Sequence, residues 1–390
     1  MTVEPTTRKA KGAFLYDVEA LRGVLALCVA LGHCCCLFLV NCDRPIYTLR
    51  GAHDIIFGLI SSLLNGQSAV IVFFVISGFV IGRSLDNRRF GIRVLPYILF
   101  LVRRLVRLYP AHIVATILIL LIGKYLVFTS VLNFSWNDFL ALGTATWNGE
   151  AFRTITGKIF LQNLLMTDWS LNPVVWSAYS EIVAAFALPF FYLLRNRDNR
   201  LLDVVFVFFL FALTCLFPAF VGGKHLFVFY LGMIVPTRGR ETSVWLRKRV
   251  RNPSALFGAG WLGLVLPAML MPGRPPLVLL GEAAAAFILV GLVVYERRDN
   301  PVSRFLRTDF IRWSGLISFS FYLYHLFFLN AFIHLVCRFL SPTFISGNGL
   351  LMYLFAVAGT VPVAFMFGHL SYRFIEKPAV LWGRKILPKL

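Results

Sequence analysis

Acidic residues are scarce in this chain. Asp and Glu number 18 against 38 Lys and Arg, and charged residues of all kinds fill 14% of the 390 positions. Globular domains in water carry about 25% charged residues, so composition argues against a soluble globule. Metal and hydrolase signatures are missing too. None of the seven cysteines has zinc-site spacing, and neither G-x-S-x-G nor H-E-x-x-H occurs. The consecutive Cys34, Cys35 and Cys36 read as small apolar residues of a membrane helix. Gly258, Gly260 and Gly263 fit G-x-G-x-x-G, but no strand precedes them and they sit in an apolar run. They read as close helix packing, not as a dinucleotide loop.

Apolar residues fill the space that charge leaves. They make up 58% of the chain, with 39 Phe and a mean hydropathy of +0.76. Ten apolar segments stand out, at 17–40, 68–85, 108–128, 174–194, 201–220, 224–236, 254–272, 276–295, 313–338 and 349–373. Their length and continuity predict helices, so the expected fold class is an all-α polytopic membrane protein of about ten transmembrane helices. The sixth segment is short and is expected to be tilted or half-buried. The first carries interior polar residues and no cleavage pattern, so it reads as a retained helix, not a signal peptide.

Basic residues are distributed unevenly between the connections. Placing the N-terminus in the cytoplasm puts 29 of the 38 on that side, six on the other and three inside helices. That asymmetry follows the positive-inside rule and predicts both termini cytoplasmic. It also accounts for the +20 charge as topology, so no nucleic-acid partner is expected. The expected organisation is a cytoplasmic tail at 1–16, a transmembrane domain at 17–376 and a cytoplasmic tail at 377–390. The longest outer connection, 129–173, holds Trp136, Asp138, Trp147, Glu150, Asp168 and Trp169. Aromatics with carboxylates suit either an interfacial aromatic belt or a sugar-binding surface; the belt is the simpler reading. Asn133-Phe134-Ser135 is a glycosylation sequon, meaningful only in a eukaryotic secretory setting.

Four clusters carry candidate chemistry. Arg22 and His33 are eleven residues apart in the first segment, about three helical turns and about 16 Å of rise. They share one face, and ionisable side chains in hydrocarbon are expensive enough to mark function by default. Arg103, Arg104 and Arg107 can project to one side of a helix, with Pro110 expected in the first turn of the following span. Arginine forks grip phosphates bidentately, and this cluster falls on the side where a phosphorylated cosubstrate is available. Ser177 and Glu181 lie one turn apart behind Trp176 at the start of the fourth span. Ser318, Tyr322 and His325 follow i, i+4, i+7 spacing and form a polar stripe on an apolar helix.

These residues, in this order, resemble the acyltransferase-3 family of membrane O-acyltransferases. Arg22 to His33 resembles its opening Arg-x10-His, and Phe73 to Phe79 its second-span signature. Arg104-Leu105-Val106-Arg107 resembles its Arg-x-x-Arg, and Trp176-Ser177 with Glu181 its Trp-Ser…Glu element. Ser318 to His325 and Tyr372 to Pro378 resemble its two closing stretches. Ala178 stands where Leu is usual, and no Pro closely follows His325. The resemblance implies transfer of an acyl group, most often acetyl, from cytoplasmic acyl-CoA to a hydroxyl of a saccharide or lipid-linked glycan at the outer side. The setting it implies is the inner membrane of a cell, among membrane lipids, with no bound cofactor and no metal.

Under that reading Arg104 and Arg107, with Arg22, hold the CoA phosphates. His33, or alternatively His325, takes the proton from the acceptor. Glu181 orients or stabilises the imidazole, and Tyr322 or Ser318 donates to the oxyanion. Trp176, Ser177, Trp169 and Asp168 are candidates for acceptor binding. A covalent acyl-enzyme remains an open variant. The rival reading is a proton-coupled transporter or exporter of a glycolipid or small acid, since intramembrane His, Glu and Arg serve such carriers as well. No internal repeat supports it.

Overall fold

The computed structural model describes residues 6–38, 52–87, 94–129, 150–195, 199–217, 222–271, 275–296 and 298–387. Among these residues it is 87% helical with no strand. In chain order the helices are α1 (Thr6–Phe38), α2 (Ala52–Leu63), α3 (Gly66–Asn87), α4 (Val94–Phe128), α5 (Glu150–Arg153) and α6 (Gly157–Leu164). Then come α7 (Val175–Leu194), α8 (Arg200–Leu216), α9 (Leu226–Ile234), α10 (Arg240–Arg249), α11 (Pro253–Leu270) and α12 (Pro276–Tyr295). The last six are α13 (Pro301–Leu306), α14 (Asp309–Leu316), α15 (Ser318–Phe339), α16 (Pro342–Gly347), α17 (Gly349–Ser371) and α18 (Lys377–Ile386). Trp136, Asp138, Trp147 and the sequon lie outside the described residues.

Eight helical stretches among the described residues are long and apolar enough to cross a bilayer. The expected spans at 201–220 and 224–236 are helices too, but shorter. α8 has 17 residues and α9 nine, about 25 and 13 Å of rise, against about 30 Å of hydrocarbon. α9 is a core element, with Phe227, Val228, Phe229 and Tyr230 all buried. It continues through a π turn, Val235–Gly239, into α10. Two boundaries differ from the sequence reading for physical reasons. Pro110 does not open a span; it lies inside the 35-residue α4. A proline there removes one hydrogen bond to the preceding turn, yet the helix holds because α18 packs against it, Gly383 facing Val106. The run 313–338 is two helices, with the chain turning at Ile317.

Glycines let the helices that carry polar residues approach closely. Gly23 of α1 faces Ser314 and Gly315 of α14, and Gly315 in turn faces the Glu19 carbonyl; a Cβ at either would overlap those atoms. Gly78 of α3 and Gly232 of α9 interlock in the same way, against the carbonyls of Phe229 and Val75. Small residues at such crossings replace the hydrophobic drive that lipid cannot supply. Polar locks add to them at the ends. Arg307 grips Asp17 through two bonds of 3.1 and 3.3 Å. Buried Asp203 accepts from Tyr230 at 2.9 Å and from Arg238 at 2.7 Å.

Candidate active site

Helices α1 and α15 bring the two histidines together. The rings of His33 and His325 stack with centroids 5.4 Å apart and planes 28° from parallel. His325 is also flanked by Phe321 at 5.9 Å and Tyr322 at 5.3 Å. Its Nδ1 lies 2.8 Å from the Tyr322 carbonyl oxygen, which can only accept. In the neutral ring Nδ1 is therefore the N–H, and Nε2 carries the lone pair. That Nε2 is buried without a hydrogen-bond partner in a residue 1% exposed. His33 is half-buried. A histidine whose far nitrogen is tied and whose near nitrogen is unoccupied has the form of a proton acceptor.

Tyr322 joins this layer to α7. Its hydroxyl is 3.1 Å from Ser177 Oγ, and that Oγ is 2.9 Å from the Val174 carbonyl. Ser177 has one proton, which goes to the carbonyl, so Tyr322 donates to Ser177 in this arrangement. Ser318 is buried at the first position of α15, about 10 Å of rise from His325. The predicted stripe exists, but its first member stands apart from the imidazoles.

The arginines form a second layer. Arg104 is 8% exposed, its Nη1 3.9 Å from Glu181 Oε1 and its guanidinium 5.6 Å over the Phe100 ring. Arg22 interacts electrostatically with Arg107, Glu181, Glu376 and Glu19. Glu376, buried in the π turn Tyr372–Glu376, accepts the Ser320 hydroxyl at 2.7 Å and also feels Arg107 and Arg22. Arg22, Arg104 and Arg107 are thus close enough to influence one another, with carboxylates among them. Glu181 lies with these arginines, as the partner of Arg104. Three guanidiniums from two helices can hold a phosphorylated ligand bidentately.

The residues expected to bind the acceptor all make contacts within the protein. Trp176 packs edge-on against Phe74 at 5.9 Å and lies 5.5 Å from His225. Trp169 lies 6.1 Å from Tyr179. Asp168 Oδ1 accepts from the Asn163 amide and the Ser170 N–H, both at 2.8 Å. Burial pushes its carboxyl up, but the Ser170 and Asn163 hydrogen bonds outweigh that and hold it below the usual aspartate range.

Four polar residues escaped the sequence reading. Asn172 donates to the Leu323 carbonyl at 2.8 Å, pinning the 165–174 loop beside Tyr322, and its own Oδ1 is buried without a partner. His112 donates to the Asn163 carbonyl at 2.9 Å. His225 is buried against Phe74 at 4.9 Å. Glu282, 0% exposed in α12, accepts the Ser68 hydroxyl at 2.6 Å. Glu282 had a signal, since an acid in the middle of an apolar run is a functional candidate by default. His112 and His225 carry the same signal, each lying inside an apolar run, whereas Asn172 is marked by nothing in sequence beyond being polar.

Comparison with known proteins adds one finding. Residues 15–369 match the family model described as an acyltransferase domain, the acyltransferase-3 type. No curated protein and no solved structure matches the chain.

Proposed function

Because the chain belongs to the acyltransferase-3 family of membrane acyltransferases, we propose that it is an O-acyltransferase of surface glycans. It takes an acyl group, acetyl first among candidates, from cytoplasmic acyl-CoA and places it on a hydroxyl of a saccharide or lipid-linked glycan at the other side. The observation that carries this reading is the stacked His33–His325 pair, with His33 on the helix that also holds Arg22 of the arginine group, about 16 Å of rise away.

Arg22, Arg104 and Arg107 take the CoA phosphates, and the pantetheine arm leads the thioester along α1 and α15 towards the imidazoles. His33, the half-buried ring, meets the acceptor hydroxyl. His325 packs on it, with Nε2 as the alternative acceptor of the proton. The hydroxyl proton passes to the imidazole and its oxygen bonds to the thioester carbon. The tetrahedral oxyanion collapses, the C–S bond breaks, and the CoA thiolate takes the proton back from the imidazolium. Such base catalysis contributes about 10²–10⁴-fold. Tyr322 donates to the oxyanion by swinging its proton off Ser177. Glu181 and Glu376 keep the arginines aligned. Trp169 and Trp176 flank the acceptor's approach.

The basic-residue asymmetry supports cytoplasmic termini and a donor on that side, in the inner membrane of a cell. The test is release of free CoA from acetyl-CoA by purified protein, dependent on added glycan, with a matching acetyl mass increment on that glycan. Turnover without modification of any glycan would move the acceptor to another class.

A further inference from the structure

A cavity of about 430 Å³ opens on the face of α1 turned away from Arg22, lined by Leu21, Val24, Phe257, Trp261, Leu289 and Phe305. That volume falls within the about 300–1,000 Å³ of small-molecule sites. Its walls come from α1, α3, α11 and α12, all among the membrane-crossing helices, and from α13. The glycine triplet of α11 explains its shape. A Cβ at Gly260 would press on Leu289 at 2.8 Å, and one at Gly263 would touch Ala285 at 3.5 Å, so these two pack α11 on α12. Gly258 lies two residues before Gly260, so it points to another side of the helix. A Cβ there would meet nothing within 4 Å. Gly258 lines the cavity and holds it open, and the exposed Leu262 and Phe305 form its lips.

The mouth is basic. Exposed Arg251 stands three residues before Ser254, a lining residue in the first turn of α11. Exposed Arg304 lies between the lining residues Val302 and Phe305 in the chain, and makes an open contact of 3.7 Å with Asp299. Solvent-exposed pairs of this kind are weak and yield to a stronger anion. Arg247, Lys248 and Arg249 end α10 at the same side. An apolar slot between membrane-crossing helices, with arginines flanking its lining residues in the chain, matches the two ends of an anionic phospholipid.

We infer that this slot is a binding site for an anionic glycerophospholipid, with one acyl chain lying along Gly258 and the phosphate at Arg251 and Arg304. The site is separate from the His33–His325 centre and does not depend on the reaction proposed for it.

The test uses the full chain in detergent, delipidated and titrated with phosphatidylglycerol or phosphatidylcholine, with bound lipid counted by native mass spectrometry. Wild type is expected to take up one phosphatidylglycerol at least tenfold more tightly than phosphatidylcholine. Gly258→Phe fills the slot and is expected to lose that binding, with unchanged helical circular dichroism; Gly258→Leu is the gentler filling if the first variant fails to fold. Arg251→Ala with Arg304→Ala is expected to bring the two lipids to equal affinity. Wild-type-like phosphatidylglycerol binding by a folded Gly258 variant would overturn the site. Equal binding of the two lipids by wild type would overturn the headgroup assignment.

Discussion

Ser320 of α15 donates its hydroxyl to Glu376 at 2.7 Å, tying the helix that carries His325 to the π turn that closes α17. π turns recur at functional sites because they re-aim side chains within a helix, and this one turns Glu376 inwards to the arginines. A hydrogen bond to a charged group contributes about 1.5–3 kcal/mol, and its loss leaves a buried acceptor unsatisfied. Ser320→Ala is therefore expected to destabilise the protein by about 2 kcal/mol, read as a lowered thermal unfolding midpoint. An unchanged midpoint would detach this bond from the integrity of the site.

The arginine layer is expected to govern donor binding more than chemistry. Arg104→Ala removes a guanidinium that is buried and oriented by Glu181. KM for acetyl-CoA should rise about 10–100-fold while kcat changes much less, the mark of lost uniform binding. Arg104→Lys keeps the charge but not the fork and should recover part of the loss. A fall in kcat at constant KM would assign Arg104 to the reacting centre.

Tyr322 and Ser177 separate by the direction of their hydrogen bond. Tyr322→Phe removes the only proton this ring can give to an oxyanion, and kcat should drop about 10²-fold. Ser177→Ala leaves Tyr322 without its acceptor but still able to donate, so its loss should be smaller. Steady-state kinetics of both variants decide the order, and the reverse order would make Ser177 the donor.

Acid sensitivity should come in part from two carboxylates outside the spans. Burial raises both Asp168 and Glu296, and hydrogen bonds outweigh it, from Ser170 and Asn163 in one case and Arg298 in the other. Both folded-state values lie below the unfolded ones, which are about 4. Their stabilisation is present above that pH and is lost as pH falls through the folded values. Asp168→Asn should lie below wild type in stability at pH 7, with the gap closing in acid. A gap that is constant with pH would mean that charge is not what Asp168 contributes.

Much of this was legible in the chain. Long apolar runs predicted most of the helices, because only intrasegment hydrogen bonding satisfies a backbone in lipid. The spacing of Arg22 and His33, and of Tyr322 and His325, placed each pair on one face. What spacing within a helix does not contain is how helices face one another. The stacking of His33 on His325, the pairing of Glu181 with Arg104 and the inward turn of Glu376 are all contacts between separate helices, whose approach close crossings such as Gly23 on Gly315 help to set. Pro110 near the start of the apolar run 108–128 predicts a helix start there, whereas α4 begins at Val94 and runs through the proline, with α18 packed against it. Asn172 lacks any local pattern, and the partners of Asn172 and His225 lie 151 positions away in the chain.

The most direct measurement compares wild type, His33→Ala, His325→Ala and the double variant for acetyl transfer from acetyl-CoA to glycan, each purified and shown to be folded. If the two imidazoles work as one unit, each single variant should lose about 10²–10⁴-fold in kcat, and the double variant should be hardly worse than either. Full activity in both single variants would contradict a reaction centred on this pair.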